Sequence, residues 1–385
     1  MIARFSPAEM ERRRDLARAL MVEHGLGALV VHGNSGVNRH NQANVFWLSN
    51  HLDLHHCYVV LPRDGDAVLL TGLTNHVPNA REVTDLPVVE WGGYDPAATV
   101  AMHLGGARRV GLVGVNAKFS VGMPYAHYLA LRERGYELVD VTAQFQRLRL
   151  VKSEEEVERL REAAALTDLA MLALRDEARP GLREYELVAI AENAYRREGG
   201  DPHITFLRSM PMDAPTGCLP AQNPSGRELR DGDVIITEFS ASAWGYSGQV
   251  HRPVFVGAGP TPEWQRLFDA ARAAYDSLAS AIRAGATVAD AVEAAAPIRD
   301  AGYEIYDDLV HGYGVDIMPP LIDRNELHGT SADGRFERGM TVVIQPNPIT
   351  PDERMGLQLG ALTVVRDDGA ESLHGVPFEP LLAAQ

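Results

Sequence analysis

A carboxylate and two imidazoles in the second half of the chain are of the types that move protons. Glu238 closes the run Val234-Ile235-Ile236-Thr237-Glu238. An acid on such an apolar strand is expected to be buried, and a buried acid needs a partner. His251 stands in Gln249-Val250-His251-Arg252, and His311 opens His311-Gly312-Tyr313-Gly314, where glycines allow close backbone approach and a loop sets the polar side chain. The plainer alternatives are a strand carboxylate, a satisfied sheet histidine and a turn residue; the functional reading is preferred for all three. The segment His51-Leu52-Asp53-Leu54-His55-His56 also gathers imidazoles. Its spacing matches no common zinc pattern, and a polar loop is the plainer reading. Cys57 and Cys218 lie far apart without CxxC spacing, which suggests neither a disulfide framework nor a zinc cluster.

The elements that must position these residues can be read from periodicity. Ser6-Pro7-Ala8-Glu9 marks a capped helix start, with apolar residues at helical spacing to about His24. Short apolar runs follow at Gly27 to Val31, Cys57 to Leu61, Ala67 to Leu70 and Val110 to Val113, interleaved with helical stretches such as Tyr125 to Arg134. That is the pattern of a small α/β domain. Ser153 with Glu156 three residues on forms a capping box before a long amphipathic helix, which sets the boundary between a domain over 1–148 and a second over 149–385. In the second domain helices are expected over 153–177, 183–198, 262–284 and 288–302. Strands are expected over Asp233 to Phe239, Val254 to Phe255, Met340 to Ile344 and Leu359 to Val365. Strands joined in pairs by turns point to antiparallel sheet and an α+β class for the whole chain.

Composition narrows the function. With 385 residues, 45% hydrophobic and 23% charged, two globular domains are expected. The formal charge of -16 gives no attraction for phosphate backbones or anionic lipid, so neither nucleic acid nor membrane is an expected partner. The N-terminus lacks the apolar stretch of a signal peptide and no run is long enough to span a bilayer, so a cytoplasmic location is expected.

Five segments in order resemble one family. Arg230-Asp231-Gly232-Asp233 through Glu238, Gly245-Tyr246-Ser247-Gly248-Gln249 with Val250-His251-Arg252-Pro253, His311 through Met318, Arg338 through Gln345-Pro346, and Gly356-Leu357-Gln358-Leu359-Gly360-Ala361 are similar to the metal-binding strands and His-Gly motif of creatinases, prolidases and methionine aminopeptidases. The resemblance covers essentially the whole chain. It implies a creatinase-type N-terminal domain, a C-terminal pita-bread domain and a homodimer whose N-terminal loop, with His55 and His56, reaches the partner's site. It also sets Glu238, Gln249, Met318, Gln345 and Gly360 where the family holds two dications. One carboxylate, two amides, a thioether and a glycine are too poor a set for that, so no metal and no other cofactor is expected. Met318 is then a soft filler of a vacated position.

The same resemblance places Glu238 and His251 on neighbouring strands and lets His311 face the same cavity. Together they would activate a water and protonate a leaving nitrogen, as the expected catalytic residues. Gln249 and Gln345 would supply neutral hydrogen bonds. Gln222, in Ala221-Gln222-Asn223-Pro224, takes the place of a creatinase histidine, and with Arg252, Asp316, His55 and His56 it joins the expected substrate-binding group; for Arg252 a structural ion pair is the plainer reading. The leading expectation is a metal-independent, creatinase-like hydrolase of a non-peptide C–N bond in a small polar metabolite. A catalytically retired binding protein and a lyase or decarboxylase on the same site are the alternatives, and Xaa-Pro peptidase activity ranks last.

Overall fold

The computed structural model describes residues 4–34, 42–115, 122–323 and 334–383. The chain divides into two compact units at Leu150 and Val151, and its class is α+β. In the first unit, the helix Pro7–Glu23 starts where Ser6 Oγ accepts the Glu9 N–H at 3.1 Å. Six strands follow: β1 (Ala28–Gly33), β2 (Cys57–Pro62), β3 (Val68–Thr71), β4 (Val88–Trp91), β5 (Arg109–Val113) and β6 (Glu137–Asp140). They form one mixed sheet in the order β4-β3-β2-β1-β5-β6. Successive residues of β1 point to opposite faces, Leu29 and Val31 into one apolar cluster and Ala28 and Val30 into another. Both faces are therefore covered, which is why these strands read as continuous apolar runs rather than alternating ones.

The second unit opens with the helix Glu154–Glu177. Its capping box is present: Ser153 Oγ accepts from the Glu156 N–H at 3.2 Å, and a Glu156 carboxylate oxygen accepts from the Ser153 N–H at 3.0 Å. The strands are β7 (Asp201–Pro211), β8 (Asp233–Ala243), β9 (Tyr246–His251), β10 (Val254–Phe255), β11 (Glu304–Ile305), β12 (Val310–Gly312), β13 (Met318–Ile322), β14 (Thr341–Ile344), β15 (Pro348–Ile349), β16 (Gly360–Val365), β17 (Ala370–Ser372) and β18 (Leu381–Leu382). The main sheet runs β13-β12-β14-β16-β9-β8-β10-β18, with β7 on β8 and β17 on β16. Its named pairs are antiparallel except β10 with β18.

The long helix seats on this sheet at Gly248, where a Cβ would stand 2.5 Å from Ala164 Cα. Thr167 in the same helix donates to the Gly248 carbonyl at 2.7 Å and accepts from the Ala241 N–H at 2.9 Å. The single helix expected over 288–302 is two, Val288–Ala294 and Ala296–Asp300. Pro297 has no N–H to continue a helix but suits the first turn of a new one, so the chain restarts there. Among the described residues no helix is long and apolar enough to cross a membrane.

Candidate functional site

Antiparallel pairing builds the site on the central strands of the second unit. Ser240 of β8 lies opposite Gln249 of β9, and His251 of β9 lies opposite Gly360 of β16. The period of two then sends Glu238, Gln249 and His251 to one face. Along β8 every residue is buried except Glu238, which keeps part of its exposure. His311 of β12 lies opposite Val343 of β14, one strand beyond β16, and Gln345 directly follows β14.

These side chains form a hydrogen-bonded cluster. Gln249 Nε2 donates to Glu238 Oε1 at 2.9 Å and lies 3.4 Å from both His251 Nε2 and Gln345 Oε1. Gln345 Nε2 in turn donates to the Asp308 carbonyl at 3.1 Å and to its Oδ1 at 3.2 Å. Gln358 Nε2 donates to Asp307 Oδ2 at 3.2 Å. Asn347 holds the loop that carries both aspartates: its Oδ1 accepts from the Tyr306 and Asp307 N–H groups, and its Nδ2 donates to the Asp307 and Asp308 carbonyls. His311 Nδ1 lies 3.2 Å from the Gly312 carbonyl, and the Gln345 side chain also hydrogen-bonds its imidazole.

The electrostatics follow from burial and like charge. Desolvation, then Asp307 and Asp308, push the Glu238 carboxyl up to about 8. Burial and its neighbour Asp308 push Asp307 up to about 7. Burial depresses His251 well below the ordinary imidazole value, helped by His311, Arg252 and His374, and burial also lowers His311. At neutral pH the site therefore presents a protonated carboxyl beside two neutral imidazoles, an acid and bases in one place.

The two dications implied by the family resemblance do not fit the residues at the five expected positions. At Gly360 a Cβ would stand 2.5 Å from the Ile344 carbonyl oxygen and 2.8 Å from Gln345 Cα, so no ligand side chain can leave the strand there as it stands. Gln249 and Gln345 are engaged with each other through an amide N–H, Met318 offers only a thioether, and Glu238 is the sole carboxylate of the five. Among the described residues no group of three or more His, Cys, Asp or Glu is arranged to hold a metal ion.

The remaining expected site residues are dispersed. Gln222 is exposed on the segment between β7 and β8. Asp316 lies in the turn between β12 and β13, close enough to Tyr313 to act on its hydroxyl. Arg252 is fully buried and spends its guanidinium on backbone: Nε donates to the Pro377 carbonyl at 2.8 Å, Nη1 to His251 at 2.7 Å and Gly360 at 2.6 Å, and Nη2 to Val376 at 3.1 Å. It stacks on Phe378, 3.8 Å from the ring centroid, and has a scaffolding position. His55 and His56 belong to the first unit, where His55 stacks on His76 and His56 Nδ1 lies 2.9 Å from His32 Nε2. Sequence reading missed Asp307, Asp308 and Gln358. The only signal was an acidic pair directly before the apolar strand that carries His311, and a lone amide within the Leu357-Gln358-Leu359 run.

Comparison with known proteins places this geometry. The chain is 30% identical over 308 residues to the probable dipeptidase PepE of Mycobacterium tuberculosis, covering 76% of each. It is 23% identical over 336 residues to the Xaa-Pro dipeptidase of Pyrococcus furiosus, covering 86% of this chain and 90% of that one. The crystal structure of dipeptidase PepE from Mycobacterium ulcerans superposes with a TM-score of 0.79 at 25% identity, covering 99% of both chains. Relatives named for dipeptide hydrolysis overturn the expectation of a creatinase-like enzyme for a non-peptide C–N bond, and the binding-protein and lyase alternatives fall with it. Peptide hydrolysis, ranked last from the sequence, is what their names carry, because the ranking rested on ligand chemistry at five positions and not on kinship along the chain. With residues 13–151 matching the creatinase/prolidase N-terminal domain and residues 158–367 matching the metallopeptidase family M24, the chain belongs to family M24.

Proposed function

We propose that this hydrolase cleaves short peptides with its own acid and imidazoles, not with a bound metal pair, moving the protons. The observation that carries the reading is the partly exposed Glu238 carboxyl held at 2.9 Å by Gln249, whose amide also reaches His251. The peptide class is supported by the dipeptidase names of the relatives. A neutral imidazole, that of His251 or His311, takes a proton from water as the water oxygen bonds to the peptide carbonyl carbon. The C–N bond then breaks as the protonated Glu238 gives its proton to the departing nitrogen, and the imidazolium returns a proton to the Glu238 carboxylate. Its pKa of about 8 keeps Glu238 protonated by about ten to one at pH 7.

The test uses a set of dipeptides, Xaa-Pro among them, with exhaustively chelated protein of measured metal content. Cleavage is expected to persist, and Glu238→Gln or His311→Ala should lower kcat/KM by roughly 10²–10⁴-fold. Cleavage that returns only on adding manganese, cobalt or zinc overturns the acid–base reading. Failure to cleave any dipeptide overturns the substrate class.

A further inference from the structure

The second unit contains another cavity, and none of the residues lining it belongs to the carboxyl and imidazole cluster. Arg159, Glu162, Leu166, Leu169 and Ala173 recur at helical spacing along the helix Glu154–Glu177, so their side chains share one face. That face lines a groove of about 720 Å³, together with Ala194 of the helix Glu184–Arg196, Glu198 just beyond that helix, and Ala243 at the end of β8. A volume of this size lies within the range of small-molecule sites. The short side chains of Ala173, Ala194 and Ala243 leave the space open, while Leu166, Leu169 and Leu172 give it an apolar wall. Leu169 stays 38% exposed.

The polar groups of the groove are only partly used. Arg159 donates from Nη1 to Glu162, but its Nε–H is buried and has no acceptor among the described residues. A donor left buried in that way costs free energy, and more so on a charged group. Glu198 is exposed and pairs with no cation among the described residues. An unused donor, an unused carboxylate and an apolar wall therefore share one cavity. A plain hydrocarbon would leave both polar groups unused. A fatty anion would meet two carboxylates, Glu162 and Glu198, against one guanidinium. A molecule carrying a carboxylate, an ammonium and apolar side chains complements all three. The 720 Å³ equal the share of roughly two dozen water molecules, room that a dipeptide fills better than a single amino acid.

We propose that this groove binds a zwitterionic dipeptide with apolar side chains, its carboxylate on the Nε–H of Arg159, its ammonium at Glu198 and its side chains against Leu166, Leu169 and Leu172. It is a second peptide site, which holds its ligand without cleaving it.

The test is calorimetric titration of leucyl-leucine into the intact chain carrying His311→Ala, so that the proposed hydrolysis adds no heat. The same titration is repeated with Arg159→Met, Glu198→Gln or Leu169→Glu added. Arg159→Met should weaken binding roughly ten- to a hundredfold, the loss of one charge-assisted hydrogen bond. Glu198→Gln should weaken it by up to about fivefold, as suits an exposed ion pair, and Leu169→Glu should abolish it. N-acetyl-leucyl-leucinamide, which keeps the side chains and lacks both charges, should bind at least about tenfold more weakly than leucyl-leucine. An affinity untouched by Arg159→Met and Leu169→Glu overturns the site, as does decanoate binding more tightly than the dipeptide. An oligomer that Leu169→Glu breaks in sedimentation velocity assigns the groove to a second copy of the chain and overturns it as well. Binding is read without turnover, so dipeptide cleavage by the parent chain decides the hydrolase reading separately.

Discussion

Replacing Glu238 by glutamine should make the protein more stable in alkaline solution while leaving it nearly unchanged in acid. The carboxyl has an ordinary value of 4.5 and stands at about 8 in the fold, raised by burial and then by Asp307 and Asp308. A group whose folded value lies above its unfolded one holds its proton more tightly in the native state. Its contribution is fully present below 4.5 and is lost as pH rises through about 8. That interval of about 3.5 pH units at about 1.4 kcal/mol per unit gives an upper bound of about 5 kcal/mol. Partial exposure of Glu238 screens the interaction, and about 2–3 kcal/mol is a fairer figure. Glutamine keeps the shape and carries no charge, so the variant escapes this loss. At about 2–4 °C per kcal/mol for a domain of this size, the Tm of Glu238→Gln should exceed that of the parent by roughly 4–12 °C at pH 9 and by about zero at pH 4. Paired thermal denaturation by circular dichroism across pH 4 to 9 measures it. A Tm difference that does not grow between those limits would falsify the claim that Glu238 is desolvated among like charges.

Three further outcomes follow from the packing. Gly360→Ala should cost about 1–3 kcal/mol in urea denaturation, because its Cβ would meet the Ile344 carbonyl at 2.5 Å; a neutral result means the strands have room to part. Arg252→Met should destabilise by about 3–5 kcal/mol by freeing four buried carbonyls, and Arg252→Lys should recover little; a variant of full stability with only KM altered would instead make Arg252 a substrate ligand. Ser153→Ala should cost about 1 kcal/mol through loss of the capping box, read from the same melts, and no change would show that the Glu156 contact to Tyr246 alone anchors the helix start.

Much of the fold was legible because each element carried its own signal. Ser153 and Glu156 announced the second unit through cap chemistry, and the run ending at Glu238 announced a central strand through unbroken apolar character. What stayed hidden depended on pairing partners distant in the chain. Strand β7 mixes Asp201, His203, Thr205 and Arg208 among apolar residues, and only its register against β8 makes it a strand. The site divided in the same way. Glu238, Gln249, His251, His311 and Gln345 were singled out because they stand in recognisable segments, and hydrogen bonds join Gln249 to Glu238, His251 and Gln345. Asp307, Asp308 and Gln358 were not, since an acidic pair on a loop reads as solvated until Asn347 is seen to fold that loop inward. Arg252 was set in the substrate-binding group with a structural ion pair as its plainer reading, and burial against carbonyls gives it a mechanical position.

That mechanical role separates chassis from cargo. Arg252 grips the carbonyls of His251 and Gly360 on two adjoining strands and those of Val376 and Pro377. A clamp that grips those strands by their backbone is blind to the side chains they display. Library design can therefore vary the amides at 249, 345 and 358 to retune the hydrogen bonds they make to Glu238, Asp308 and Asp307 without loosening the strands, provided that 252 is left alone.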